Sequence, residues 1–149
     1  MRSLGIFCII AVGLVLAGCG SSSNSDNAVN GNWTASLTSA DGTPVFGFTT
    51  TLNSSGNTVT GSNLSFTTAT PCFGSDATET GGFTVSGNTN GVTTGGFTMT
   101  LQSGASTTTG SNTLSLNGTL SNNTISGTWT LAGTGAGCTG AGNFTMTKQ

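Results

Sequence analysis

From Gly31 to the C-terminus, large apolar residues recur at every second position, in short runs separated by Gly, Asn and Ser. A strand with one buried face needs this alternation, because its successive side chains point to opposite faces. A helix needs a period near 3.6, and no window of this sequence has one. Trp33, Ala35 and Leu37 mark a first strand, and Phe46, Phe48, Thr50 and Leu52 a second. Val59, Leu64 and Phe66 mark a third, with a bulge or bend at Gly61 and the residues after it. Phe83 and Val85 mark the fourth, Phe97, Met99 and Leu101 the fifth, and Leu114, Leu116 and Leu120 the sixth. Ile125, Gly127, Trp129 and Leu131 belong to a seventh, Phe144 and Met146 to an eighth. Abundant Thr favours strands, and the Gly, Asn and Ser between them tolerate turn dihedrals. The expected fold class is all-β, an antiparallel up-and-down meander of about eight strands.

The strands divide into two similar halves. Gly31-Asn32-Trp33-Thr34-Ala35-Ser36-Leu37 aligns with Gly95-Gly96-Phe97-Thr98-Met99-Thr100-Leu101, and Asn57-Thr58-Val59-Thr60-Gly61 with Asn123-Thr124-Ile125-Ser126-Gly127. In that second register Cys72 falls on Cys138. Residues 31–149 therefore read as one domain with an internal two-fold repeat; chance likeness is the competing reading in so Thr- and Gly-rich a chain.

Ahead of the strands the sequence changes character. Arg2 precedes an uncharged, small-and-apolar run over residues 4–16. That is the length of a signal-peptide core and shorter than the roughly 20 residues that span a bilayer. The run ends in Leu16-Ala17-Gly18-Cys19, which resembles the lipobox of bacterial lipoproteins. The resemblance implies that residues 1–18 are a removed signal peptide and that Cys19 carries a thioether-linked diacylglyceryl group. It also implies anchoring in the bacterial cell envelope, at the outer membrane where the cell has one, because Gly20 rather than Asp follows the cysteine. An ordinary secretory signal ending by chance in Cys is the alternative. Residues 19–30 then read as the lipidated cysteine and a flexible polar tether.

The chain has four cysteines. Cys8 leaves with the signal and Cys19 takes the lipid, so Cys72 and Cys138 remain in an oxidising compartment and are expected to form a disulfide. In a meander, the loops that follow odd-numbered strands gather at one end, which brings the loops at residues 67–81 and 132–140 to the same rim. A metal or redox pair would need a CxxC motif or a His, and the sequence has neither.

Eight meandering strands suit a small closed barrel, which has no sheet edges; a two-sheet β-sandwich of the same strands is the alternative. Gly31-Asn32-Trp33 resembles the Gly-x-Trp that opens the first strand of lipocalins, avidins and related barrels. That resemblance implies a tryptophan plugging one end of the barrel and a basic side chain from the last strand laid across it, a part open only to Lys148. Lipobox, Thr/Gly-rich strands and paired late cysteines together also resemble small β-rich lipoproteins of bacterial envelopes.

Charge is scarce: Lys and Arg total 2, Asp and Glu total 4, and His is absent. Once Arg2 is removed, Lys148 is the only basic side chain, too little for nucleic acid or an anionic membrane surface to attract. Without His, the usual activation of a Ser or Cys nucleophile is missing. Asp76 and Glu79 have the composition of a paired-carboxylate site, but both are expected in one solvated polar loop. Asp41-Gly42 reads as a hairpin turn, and no Gly run leads into a Lys and a helix to cradle phosphate. The domain is expected to be non-enzymatic, with no cofactor and no metal. Its inward set would include Trp33, Phe48, Phe83, Phe97, Met99, Leu116 and Trp129. These either pack a solid core or, with Trp33, Phe48, Phe97 and Trp129 as walls, enclose a small apolar or amphipathic ligand. The alternative role is structural, with the Thr/Ser/Asn exterior meeting glycan, peptidoglycan or protein.

Overall fold

The computed structural model describes residues 25–67, 70–104 and 111–149. Residues 1–24, where the expected signal peptide, Cys19 and the first part of the expected tether fall, lie outside them. Eight antiparallel strands follow a short 3₁₀ helix, Ser25–Val29: β1 (Gly31–Ser39), β2 (Pro44–Ser55), β3 (Thr58–Phe66), β4 (Thr78–Thr89), β5 (Val92–Gln102), β6 (Asn112–Ser121), β7 (Thr124–Gly133) and β8 (Gly140–Lys148). Each strand pairs with the next, and β8 returns to pair with β1 from Trp33↔Lys148 to Ser39↔Gly142. The meander is thus closed into a barrel, and the sandwich is not formed.

Alternation decides which side chains enter. In β1, Trp33, Ala35 and Leu37 are buried while Asn32 and Ser36 are exposed; in β7, Ile125, Trp129 and Leu131 are buried between exposed Ser126, Thr128, Thr130 and Ala132. All seven residues of the expected inward set are buried. Outside, polar side chains face one another across the strands, as in the row Thr98, Asn117, Thr128, Asn143 and Thr38. Burying apolar area at about 25 cal/mol per Å² favours this register, since a slip by one residue would turn every core side chain outward.

Local chemistry shapes the strand ends. Asn90 and Gly91, both at positive φ, form the two-residue turn between β4 and β5, the geometry that matches strand twist. Asp41 organises the β1–β2 hairpin: its carboxylate accepts from the Ser39 hydroxyl and from the Thr43 amide at 3.0 Å. These hydrogen bonds hold the exposed Asp41 carboxyl below its usual pKa. In β3, Asn63 (φ 55°) and Leu64 together oppose Thr50 alone, so the bulge falls just after Gly61.

The two ends are closed differently. Loops after odd-numbered strands form a rim, where Cys72 and Cys138 join in a disulfide with Cα atoms 5.5 Å apart. At the base, the 3₁₀ helix brings Val29 to full burial against the barrel. The tether is therefore structured over its last residues: Ser25–Val29 is folded, because an apolar side chain and a carbonyl there find partners on the barrel.

Replacing Cys72 and Cys138 by Ala should lower the free energy of unfolding by about 4 kcal/mol, the chain-entropy contribution of closing so long a loop. Urea titration measures the loss, and the oxidised chain should be two hydrogens lighter than the reduced one.

Candidate functional site

At the base, the Trp33 indole donates to the Val29 carbonyl at 2.7 Å. Lys148, the β8 partner of Trp33, donates to the Ala28 carbonyl at 3.1 Å and holds its ammonium 5.9 Å from the centre of the indole ring. A cation over an aromatic face and a buried indole N–H with its acceptor are both favourable. Trp33 thus plugs the base, with the last strand's basic side chain laid across it.

The rim is held by aromatic packing. Phe66 stacks on Phe73 with centroids 5.5 Å apart and planes inclined by 11°, and Phe46 lies 6.2 Å from both Phe66 and Trp129. Trp129 of β7 donates over β8 to the Thr38 carbonyl of β1 at 2.8 Å. A groove of about 170 Å³ beside the disulfide is lined by Val45, Phe46, Pro71, Trp129 and Leu131. Val45 is the one exposed large apolar side chain among the described residues.

Of the four aromatics expected as walls of a ligand cavity, Trp33, Phe48 and Phe97 are fully buried, and Trp129 nearly so. Trp33 and Trp129 sit at opposite ends and do not share a pocket. The small residues between the aromatics are accounted for by packing. A Cβ on Gly95 would lie 2.5 Å from the Phe83 ring, and one on Gly118 would lie 2.9 Å from the Phe144 ring. Glycine at these positions makes room for a neighbouring side chain.

One polar group lies where none was expected. Glu79 belongs to β4, not to a solvated loop with Asp76, and it is only 6% exposed. Thr50 and Glu79 Oε2 share a hydrogen bond of 2.5 Å, and Thr50 also donates to the Ser62 carbonyl at 3.2 Å. Glu79 Oε1 has no partner among the described residues. The carboxyl occupies the space that a side chain on Gly61 would need, with Oε2 1.6 Å from a Cβ placed there. Burial pushes its pKa from 4.5 up to about 7, against the smaller opposing effect of the Thr50 hydrogen bond. The sequence did carry a signal: Glu79, Gly81, Phe83 and Val85 share one parity, so extending β4 backward from Phe83 turns Glu79 inward. Its charge argued for a loop, since Glu is almost never fully buried unpaired.

Asp76 stands instead against Gly104, in the segment before β4. Among the described residues no three His, Cys, Asp or Glu gather to hold a metal ion. Comparisons with protein-family models, curated proteins and solved structures find no match to this chain.

A carboxyl whose folded pKa exceeds its unfolded value stabilises the fold while protonated, and that stability is lost as pH rises from about 4.5 to about 7. The loss amounts to roughly 3 kcal/mol. Urea unfolding across this range should show it, and Glu79→Gln should flatten the profile; a wild-type profile that rises with pH would contradict the assignment.

Proposed function

We propose that this protein is a lipid-anchored domain of the bacterial cell envelope, without enzymatic activity, which makes its contacts through the rim and outer wall of a filled barrel. Lipidation at Cys19 rests on the lipobox-like Leu16-Ala17-Gly18-Cys19. The observation that carries the reading is where the chain enters the fold. It arrives through the 3₁₀ helix locked beneath Trp33 and Lys148, at the end opposite the disulfide-tied loops. With Ser25–Val29 bound to the barrel, only the stretch from Cys19 to Asn24 is left as tether. At about 3.5 Å per extended residue, that holds the base within about 20 Å of a lipid surface and turns the rim outward.

The contact chemistry follows from what remains accessible. Buried aromatics fill the interior, while the wall offers neutral hydroxyls and amides, as in the shallow depression lined by Asn32, Thr34, Thr49, Thr51 and Asn63. Such a surface suits a glycan, peptidoglycan or an uncharged protein face. A second reading, favoured by the groove beside Trp129, is a small apolar ligand held at the rim.

The test is to grow cells carrying the full chain with labelled palmitate. Label in the membrane fraction, absent from Cys19→Ser, is the expected result; an unlabelled, released wild-type chain would sink the proposal. Masses of the purified chain, native and denatured, then separate the two contact modes. Equal masses favour the wall and rim, and extra native mass favours a held ligand.

A further inference from the structure

We propose that Glu79 is a proton-controlled latch on the seam between β3 and β4, closed while its carboxyl is protonated and released when the carboxyl ionises. This seam is the shortest in the barrel. Its ladder runs only from Thr58↔Gly82 to Thr60↔Thr80, whereas the β4–β5 ladder runs from Thr78↔Gln102 to Thr89↔Val92. Beyond Thr60 the two strands part, and Glu79 reaches across that opening from β4, over Gly61 of β3, to Thr50 of β2.

The latch turns on a count of protons. A threonine hydroxyl has one hydrogen to donate and lone pairs to accept. With Glu79 protonated, its O–H donates to Thr50, Thr50 donates to the Ser62 carbonyl, and three strands are joined in one chain of hydrogen bonds. Once Glu79 loses its proton, the same Thr50 hydrogen is wanted by both the carboxylate and Ser62. A second carboxylate oxygen, Oε1, is then charged and buried with no donor among the described residues. An unpaired buried charge is far costlier than an open seam that lets water reach it. Hydrogen bonds on the open stretch are few, so the β3–β4 seam should yield before any other.

No second charge among the described side chains opposes this. Thr50, Gly61, Ser62 and the β5 partner Leu101 are the uncharged groups that β2, β3 and β5 set around Glu79. Asp41 lies in the β1–β2 hairpin, Asp76 against Gly104, and Lys148 at the base.

Glu79 is the only glutamate in the chain, so full-length protein carrying ¹³C-labelled glutamate, held in non-ionic detergent, gives a single side-chain carboxyl signal. Its titration should centre near 7. Amide exchange in β3 and the first half of β4, corrected for intrinsic chemistry, should rise about tenfold or more between about pH 5.5 and 8.5 with the same midpoint. Exchange in β6 and β7 should rise only where it proceeds through global unfolding, and should stay slower than in the seam at every pH. In Glu79→Gln the seam should stay at its low-pH level throughout, and Asp76→Asn should behave as wild type. The proposal is overturned by a carboxyl midpoint in the ordinary range, by seam amides that at about pH 8.5 exchange no faster than those of β6 and β7, or by a response that Asp76→Asn abolishes. If Glu79→Gln does not fold, agreement or disagreement of the two wild-type midpoints decides.

Discussion

Pairing of the first strand with the last is the interaction on which the remaining structure rests. A meander of eight strands left open would present the outer backbone groups of β1 and β8, and an unpaired edge is a template for another chain. Closing from Trp33↔Lys148 to Ser39↔Gly142 removes both edges and converts a curved sheet into an enclosed volume. Everything pointing inward must then fit. That requirement explains why bulky Phe83 and Phe144 lie against glycines, where any side chain would collide with their rings.

Closure leaves two mouths, and the chain stops them by different means. At the base, segments from opposite ends of the domain come together: the 3₁₀ helix supplies Val29 and two carbonyls, and β1 and β8 supply Trp33 and Lys148 to meet them. At the rim, segments far apart in sequence are brought together by the Cys72–Cys138 disulfide and by aromatic packing among Phe46, Phe66, Phe73 and Trp129. One end depends on hydrogen bonds and a cation laid over an indole, the other on a covalent tie between the two halves of the chain. Between them lies the short β3–β4 seam, which holds the one buried carboxyl among the described residues.

Much of this was legible in residue order because the governing forces are local. Period two in Trp33-Ala35-Leu37 or Phe97-Met99-Leu101 reports directly on which face is buried, and the order of loops in a meander places Cys72 and Cys138 at one rim. Three features were not legible. Val29 reads as part of a tether because a lone apolar residue among polar ones has no periodicity to betray its partner. Phe73 sits in a loop, where burial depends on what lies beneath it in space. Glu79 obeyed the strand parity but carried a charge, and the cost of burying a charge ordinarily outweighs two residues of pattern. Its accommodation depended on Gly61 and Thr50, both brought near only by the fold. The choice between solid core and hollow cup was equally closed to the sequence, since it turns on how glycines and aromatics face one another across the barrel.

The outer wall has a consequence of its own. Rows such as Thr98, Asn117, Thr128, Asn143 and Thr38 carry dipoles but no net charge, and the sequence holds few ionisable groups elsewhere. A surface of that kind projects almost no field beyond its first layer of water, so it neither steers an approaching molecule nor fends one off. Ions in the medium have little to screen. Whatever meets this wall must find it by collision and recognise it by touch, in fresh water and in brine alike.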